Sequence, residues 1–267
     1  MSAARPSLDA ALAAAAVAPR LLVATDFDGT LTPFAPRPWM VTPDAGALAA
    51  LGALAAVAAT QVAVVSARTL ADLTEQMGAV AGVQLLGSYG AETAAGPVGL
   101  DEAEARRWAR LAVTFERLAV VHEAAWVERK ALGVALHARG VGDSSALLAR
   151  AVEAAAAMRD VHVVRGNEVV EAMVRPTSKA WAVDALAVRW LADVTVYLGD
   201  DHADEEVFAR LGPADVGLHV GPGPTAAGWT VADPAEAGRA LTRLAALRRT
   251  AADRSYVNPR EDLDHAR

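Results

Sequence analysis

The sequence predicts an α/β protein: a parallel sheet with helices on both faces, interrupted by an inserted α+β domain. Three observations predict it. In residues 21–92, near-continuous apolar runs alternate with Ala/Leu-rich helical stretches, the pattern of strands buried on both faces of a parallel sheet. In the middle of the chain the apolar residues alternate with polar ones, as on a sheet with one open face. After about residue 175 the first pattern returns. The expected division is a core of residues 1–106 and 175–267, with an inserted domain at 107–174.

The elements follow in order. "ALAAAAVAP" (11–19) reads as a helix; it is alanine-rich and preceded by Asp9, unlike the charged start and leucine core of a secretory signal. "RLLVATDF" (20–27) is a strand. "TPDAGALAALGALAAVAA" (42–59) opens with Thr-Pro-Asp, a helix-start signal, and continues as a helix. "TQVAVVSAR" (60–68) and "VQLLGSYGAE" (83–92) are strands, with a helix at 69–80 between them. A charged helix over 101–122 leads into "AWVERKALGVALHAR" (125–139), an antiparallel strand pair. A helix at 144–160 precedes "VHVVRGNEVVEAMV" (161–174), a hairpin turning at Gly166-Asn167. The core resumes with a helix at 178–191, then strand, acidic loop and helix start at 194–211, and a short strand at 215–221. The tail after about Ala252 is polar and expected to fray.

Composition bounds the function. The 267 residues carry a formal net charge of -7, and no Lys/Arg run tracks a phosphate backbone, so nucleic acid is not an expected partner. No apolar stretch reaches the ~20 residues of a transmembrane helix, so no membrane is expected either. There is no cysteine, which excludes a disulfide framework and a thiolate nucleophile and fits a cytoplasmic protein. Much of the 54% hydrophobic content is alanine, and aromatics make up 5%, so the core is expected to be Leu, Val and Ala.

The chemistry is written at the strand ends. In open parallel sheets ligands bind outside the carboxyl ends of the strands. Four groups fall there: Asp26 and Asp28; Ser66 with Arg68; the glycines of "GSYGAE"; and Asp200 with Asp201. Lys179, at a helix start, can reach the same end. Each residue alone reads as a cap or turn residue. Two acidic pairs, each directly after an apolar strand, with Ser and Lys between them, are not four unrelated caps. Acids, a hydroxyl, a lysine and glycines suggest phosphate chemistry with a hard cation, since magnesium takes a few carboxylate oxygens plus waters and substrate oxygens.

These residues carry a resemblance. "DFDGTL", "VVSAR", "SK" and "GDDHADEE" resemble, in order, the four signatures of the haloacid dehalogenase superfamily. More finely, "VERKALGVALHAR", "VVEAMVRPTSKAWAVDAL" and "YLGDDHADEEVF" are similar to stretches of the trehalose-6-phosphate phosphatases. The likeness covers most of residues 21–221. It departs at Ala67, where the family has Gly; at Ser88-Tyr89, where it has Asn-His; and at His202-Ala203, where it has Arg-Thr. These departures leave the catalytic types intact and bear on the substrate.

The resemblance implies a Rossmann-like core with an α+β cap. It implies Asp26 as a nucleophile forming an aspartyl-phosphate, and Asp28 as the acid and then base. Mg2+ would be held by Asp26, the Asp28 carbonyl and Asp200, with Asp201 or Asp204 behind. Ser66 and Lys179 would bind the phosphoryl oxygens, and Arg68, Glu128, Lys130 and Glu171 the substrate. The implied reaction is hydrolysis of trehalose 6-phosphate. A different sugar phosphate, such as a trehalose-like pseudo-disaccharide phosphate, and a non-catalytic sugar-phosphate-binding regulator are the alternatives. The expected protein is a monomer with a functional link to a trehalose-phosphate synthase.

Overall fold

A computed structural model describes residues 5–35 and 37–257. The strands are β1 (Leu21–Thr25), β2 (Thr60–Val65), β3 (Val83–Leu86), β4 (Glu92–Thr93), β5 (Gly96–Pro97), β6 (Trp126–Arg129), β7 (Gly133–His137), β8 (His162–Gly166), β9 (Val169–Met173), β10 (Val194–Gly199), β11 (Val216–Val220) and β12 (Trp229–Val231). The helices are α1 (Leu8–Ala16), α2 (Ala45–Ala55), α3 (Leu70–Met77), α4 (Glu102–Ala119), α5 (Ser144–Ala156), α6 (Lys179–Trp190), α7 (His202–Phe208) and α8 (Pro234–Val257). They form two compact units, Met1–Gly90 with Ser178–Arg267, and Ala91–Thr177. The first boundary lies earlier than residue 107. All of α4 belongs to the second unit, where Leu111 and Phe115 join its core and Glu104 accepts two hydrogen bonds from Arg175.

The first unit is built on a six-stranded sheet in the order β12-β11-β10-β1-β2-β3, with every pairing parallel. β1 is its centre and its switch point: the chain builds outward on one side through β2 and β3, then on the other through β10, β11 and β12. Successive side chains of a strand point to opposite faces. Leu21 and Val23 accordingly enter the cluster shared with α1, α2 and α8, and Leu22 and Ala24 enter that with α6 and α7. All four are fully buried.

Caps fix where the helices begin. Asp44, the last residue of the Thr-Pro-Asp start signal, caps α2, accepting from the Ala47 amide at 2.7 Å. Ser178 caps α6 and so makes Lys179 its first residue. α8 falls in a stretch the sequence reading leaves unassigned, and it runs to Val257, past the expected end of order at Ala252; residues 258–267 lie outside the described residues. From α8 the buried guanidinium of Arg248 donates to the carbonyls of Ala16, Ala18, Pro19 and Ala59 and to the Thr60 hydroxyl. One side chain thus ties α8 to the end of α1 and the start of β2.

The second unit carries an antiparallel sheet in the order β6-β7-β9-β8 and a small hairpin, β4-β5. Val134, Leu136, Val170 and Ala172 face α4 and α5 through Leu111, Phe115 and Leu147. By strand alternation Trp126, Glu128, His137 and Glu171 lie on the other sheet face. The β8-β9 turn is Asn167-Glu168, with Glu168 at φ 56, and Gly166 still belongs to the strand. No described helix is long and apolar enough to cross a membrane.

Candidate active site

β1 leaves the centre of the sheet at Asp26, whose amide donates to the Leu198 carbonyl of β10 at 2.9 Å. The parallel register therefore brings the ends of β1 and β10 level. Asp26 is 4% exposed. The Lys179 ammonium lies 3.0 Å from its Oδ1, 2.9 Å from Asp204 Oδ1 and 3.4 Å from Asp201 Oδ1. Lys179 is itself 1% exposed. The first turn of α6 thus delivers one buried cation to three carboxylates.

The acidic loop after β10 is organised around Asp204. Its Oδ2 accepts from the amides of Asp200 and Asp201 at 2.9 and 3.0 Å, and its Oδ1 from the Tyr197 hydroxyl and Lys179. Asp201 caps α7, accepting from the Ala203 and Asp204 amides at 2.9 and 3.2 Å. Asp200 is turned the other way, toward Asp28-Gly29-Thr30, and accepts from the Thr30 hydroxyl at 2.9 Å. Gly29 is at φ +81, and a β-carbon there would sit 2.1 Å from Asp200 Oδ2. Only glycine admits both the left-handed backbone and this close approach.

Burial raises the proton affinity of Asp26 well above the usual carboxylate range, with Lys179 opposing and the other acids adding to the rise. Burial likewise pushes Asp200 up to about 7, with the Thr30 bond pulling back and Asp204 pushing further. Burial opposes the charge on Lys179, but Asp26 and Asp204 with their neighbours together outweigh it and hold the ammonium charged well above its usual range. Asp26 and Asp204 are buried with Lys179, Asp200 and Asp201 stand beside them, and one ammonium does not balance the four carboxylates. Such a set favours a bound cation over protons. Asp26, Asp200 and Asp204 each offer an oxygen, all within 4.8 Å of one another. The donors on Asp204 make it the brace of this group, and Asp26 and Asp200 its open edge. Asp201, expected among the ligands, serves as the helix cap.

On the other side of β1, Ser66 directly follows the neighbouring β2, and Thr25 pairs with Val64 in register. Ser66 is 1% exposed, and its hydroxyl accepts from the Arg68 amide at 3.2 Å. Arg68 does not extend into open space. Its Nε and Nη2 donate to the two oxygens of Asp28 at 2.6 and 2.7 Å, and its Nη1 to Asp72 at 2.5 Å. Gly87 lets the loop after β3 pass α3, since a β-carbon there would lie 2.3 Å from the Leu70 amide nitrogen.

The expected sugar-binding residues also cluster, within the second unit. Lys130 donates to Glu171 at 2.8 Å and lies 4.0 Å from Glu128, and both Lys130 and Glu171 are buried. Sequence reasoning did not find Thr30, Tyr197 or Asp72. Tyr197 leaves a faint signal: a phenol hydroxyl carried into the core by a buried strand needs a partner.

The family model for trehalose-phosphatase matches residues 24–233. This chain belongs to the trehalose-phosphatase family. The "Trehalose-phosphate phosphatase" of Mycobacterium marinum is 35% identical over 247 residues, covering 85% of this chain and 62% of that protein. The chain thus spans about three fifths of the length of the curated relatives it matches. Among solved structures, the C-terminal domain of C. albicans trehalose-6-phosphate phosphatase superposes with TM-score 0.73 at 21% identity, covering 92% of this chain and 99% of that one. The C-terminal domain of the Candida albicans trehalose synthase regulatory protein superposes with TM-score 0.67 at 13% identity, covering 92% and 100%. Both show the fold alone, a parallel α/β core with an α+β insert.

Proposed function

We propose that this protein is a magnesium-dependent phosphoric monoester hydrolase acting on trehalose 6-phosphate. Because a regulatory protein's domain shares the fold, the fold cannot carry this reading. The observation that carries it is the buried Asp26 carboxylate held 3.0 Å from the Lys179 ammonium at the switch point of the sheet.

Asp26 and Asp200, with the Asp28 carbonyl, would hold the magnesium ion, and Asp204 and Thr30 would orient them. The bound ion supplies positive charge to the phosphoryl oxygens and neutralises the carboxylates. In the first half-reaction an Asp26 oxygen attacks phosphorus, the bond from phosphorus to the sugar oxygen breaks, and Asp28 gives that oxygen its proton. In the second half a water adds to phosphorus, its proton passes to Asp28, and the Asp26–phosphorus bond breaks to release phosphate. Lys179 and Ser66 stabilise the phosphoryl oxygens. Splitting one of the slowest known hydrolyses into two steps suits a covalent mechanism.

Arg68 acts on this scheme through Asp28. Its bidentate grip fixes where that carboxylate stands, and Asp28 must exchange it for the substrate oxygen during proton transfer. Arg68 is therefore read as a positioning residue rather than a substrate contact. Glu128, Lys130 and Glu171 are assigned to the sugar hydroxyls. In this reading the protein is a cytoplasmic monomer with a functional link to a trehalose-phosphate synthase.

The test is phosphate release with Mg2+ from trehalose 6-phosphate, sucrose 6-phosphate, glucose 6-phosphate and an aryl phosphate. Preference for trehalose 6-phosphate, abolished by chelator and lowered more than about 10³-fold in Asp26→Asn, supports the reading. Tight binding of the disaccharide phosphate without hydrolysis replaces it with a regulator, and turnover of the aryl phosphate alone reassigns the substrate.

A further inference from the structure

The open face of the second unit's sheet carries a linked row of side chains that goes beyond the three residues assigned to the sugar. Trp126 and His137 are a cross-strand pair of β6 and β7. Their rings stack with centroids 4.4 Å apart and planes within 2°. From this fixed position His137 Nε2 meets Glu128 Oε2 at 3.0 Å. An ionised carboxylate only accepts, so Nε2 carries the hydrogen. The same Glu128 oxygen lies 4.0 Å from the Lys130 ammonium, whose close partner is Glu171 at 2.8 Å.

The geometry gives this row its purpose. Two carboxylates face one lysine, and the short contact goes to Glu171. Glu128 stands at the long end of that shared ion pair, 4.0 Å from the ammonium. The imidazole holds the same Glu128 oxygen by a direct hydrogen bond at 3.0 Å. The indole, parallel to that imidazole, removes its freedom to rotate. A stacked aromatic pair holds its geometry at little entropic cost because each ring has only two side-chain torsions.

Building on the sugar reading above, we propose that His137, clamped by Trp126, is a positioning residue that holds Glu128 in place to accept a sugar hydroxyl. It acts through Glu128 and takes no part in phosphoryl transfer. Hydrogen bonds to a polyol depend on acceptors fixed in direction before the ligand arrives, because ordering them on binding subtracts from affinity. The effect therefore belongs in KM for the disaccharide phosphate and in the selectivity for it over an aryl phosphate.

The experiment measures kcat and KM with Mg2+ for trehalose 6-phosphate and an aryl phosphate. It compares wild type, His137→Leu, His137→Gln, Glu128→Ala and the His137→Leu/Glu128→Ala double variant. His137→Leu is expected to lower the selectivity ratio about tenfold, the worth of one hydrogen bond to a charged group, through KM. His137→Gln, which keeps a donor, is expected to recover most of it. In the Glu128→Ala background His137→Leu changes nothing further, because its target is gone. A loss that persists in that background, or an unchanged ratio in His137→Leu, overturns the proposal. Should His137→Leu not fold, Trp126→Leu carries the same comparison: a KM rise that vanishes without Glu128 supports the proposal, and one that persists overturns it. A wild-type enzyme with no preference for the disaccharide phosphate instead removes the sugar reading itself, a separate outcome.

Discussion

The hydroxyl of Tyr197 donates to Asp204 Oδ1 at 2.6 Å, inside a pocket where both side chains are completely buried. Tyr197 is a strand residue of β10 whose hydroxyl, seven positions before Asp204, closes the ring of donors around that carboxylate. The ring includes Lys179 and the amides of Asp200 and Asp201. Asp204 is thereby a brace for the loop that presents Asp200, and Tyr197 fixes the brace.

Tyr197→Phe is expected to weaken divalent-ion affinity about 10- to 100-fold, the usual effect of losing an outer partner of a metal site. The fold survives, because the ring still fills its place against Phe208, which it meets edge-on at 5.6 Å. A magnesium titration of phosphate release, with melting curves alongside, checks both halves. Equal magnesium affinity in wild type and variant would remove Tyr197 from the site's support.

The same electrostatics set a pH dependence of stability. Burial raises the proton affinity of Asp200 to about 7, and those of Asp26 and Asp204 also lie above the ordinary value of 3.8. A carboxyl with a raised folded-state value binds its proton more tightly folded than unfolded. Its contribution is complete below 3.8 and is lost as pH rises through about 7. Asp201 moves the opposite way, so its effect falls below that window. Metal-free protein is therefore expected to melt at a lower temperature at about pH 8 than at about pH 5.5. Added Mg2+ narrows the difference by replacing the protons. Asp200→Asn flattens the metal-free trend; an undiminished trend in that variant would assign it elsewhere.

What was legible in the sequence was whatever local pattern decides. β1, β2 and β10 are buried on both faces and read as unbroken apolar runs, so the sheet and the acids at its ends were visible. β12 has three residues and β4 and β5 two each, too few for a period to register. α8 mixes alanine with arginine, and its contrast between faces is low. The division of labour among Asp200, Asp201 and Asp204 was hidden because it depends on a capping box and on the reach of Tyr197. Likewise the grip of Arg68 on Asp28 was hidden, because the two lie 40 residues apart in sequence.

Arg248 offers a stability test distant from the chemistry. Its guanidinium is buried, and its hydrogen-bond acceptors are four carbonyls and one hydroxyl, belonging to the end of α1, the turn before β1, and the approach to β2. Carbonyls near the end of α1 also present the negative pole of that helix to the cation. Arg248→Met keeps much of the apolar stem but leaves these acceptors to find other donors in a buried place. Each one left unsatisfied costs about 1–3 kcal/mol; with partial rescue by water the expected total is about 3 kcal/mol. In a chain of this size that lowers the melting temperature by about 6–12 °C. Arg248→Lys, with one compact ammonium for the planar fork, recovers only part of it. Thermal melting of both variants, with phosphate release measured well below the transition, separates the clamp from the catalyst: stability falls, and turnover per folded molecule is retained. A melting temperature within about 1 °C of wild type would mean that α8 is held by its Leu and Ala contacts without the clamp.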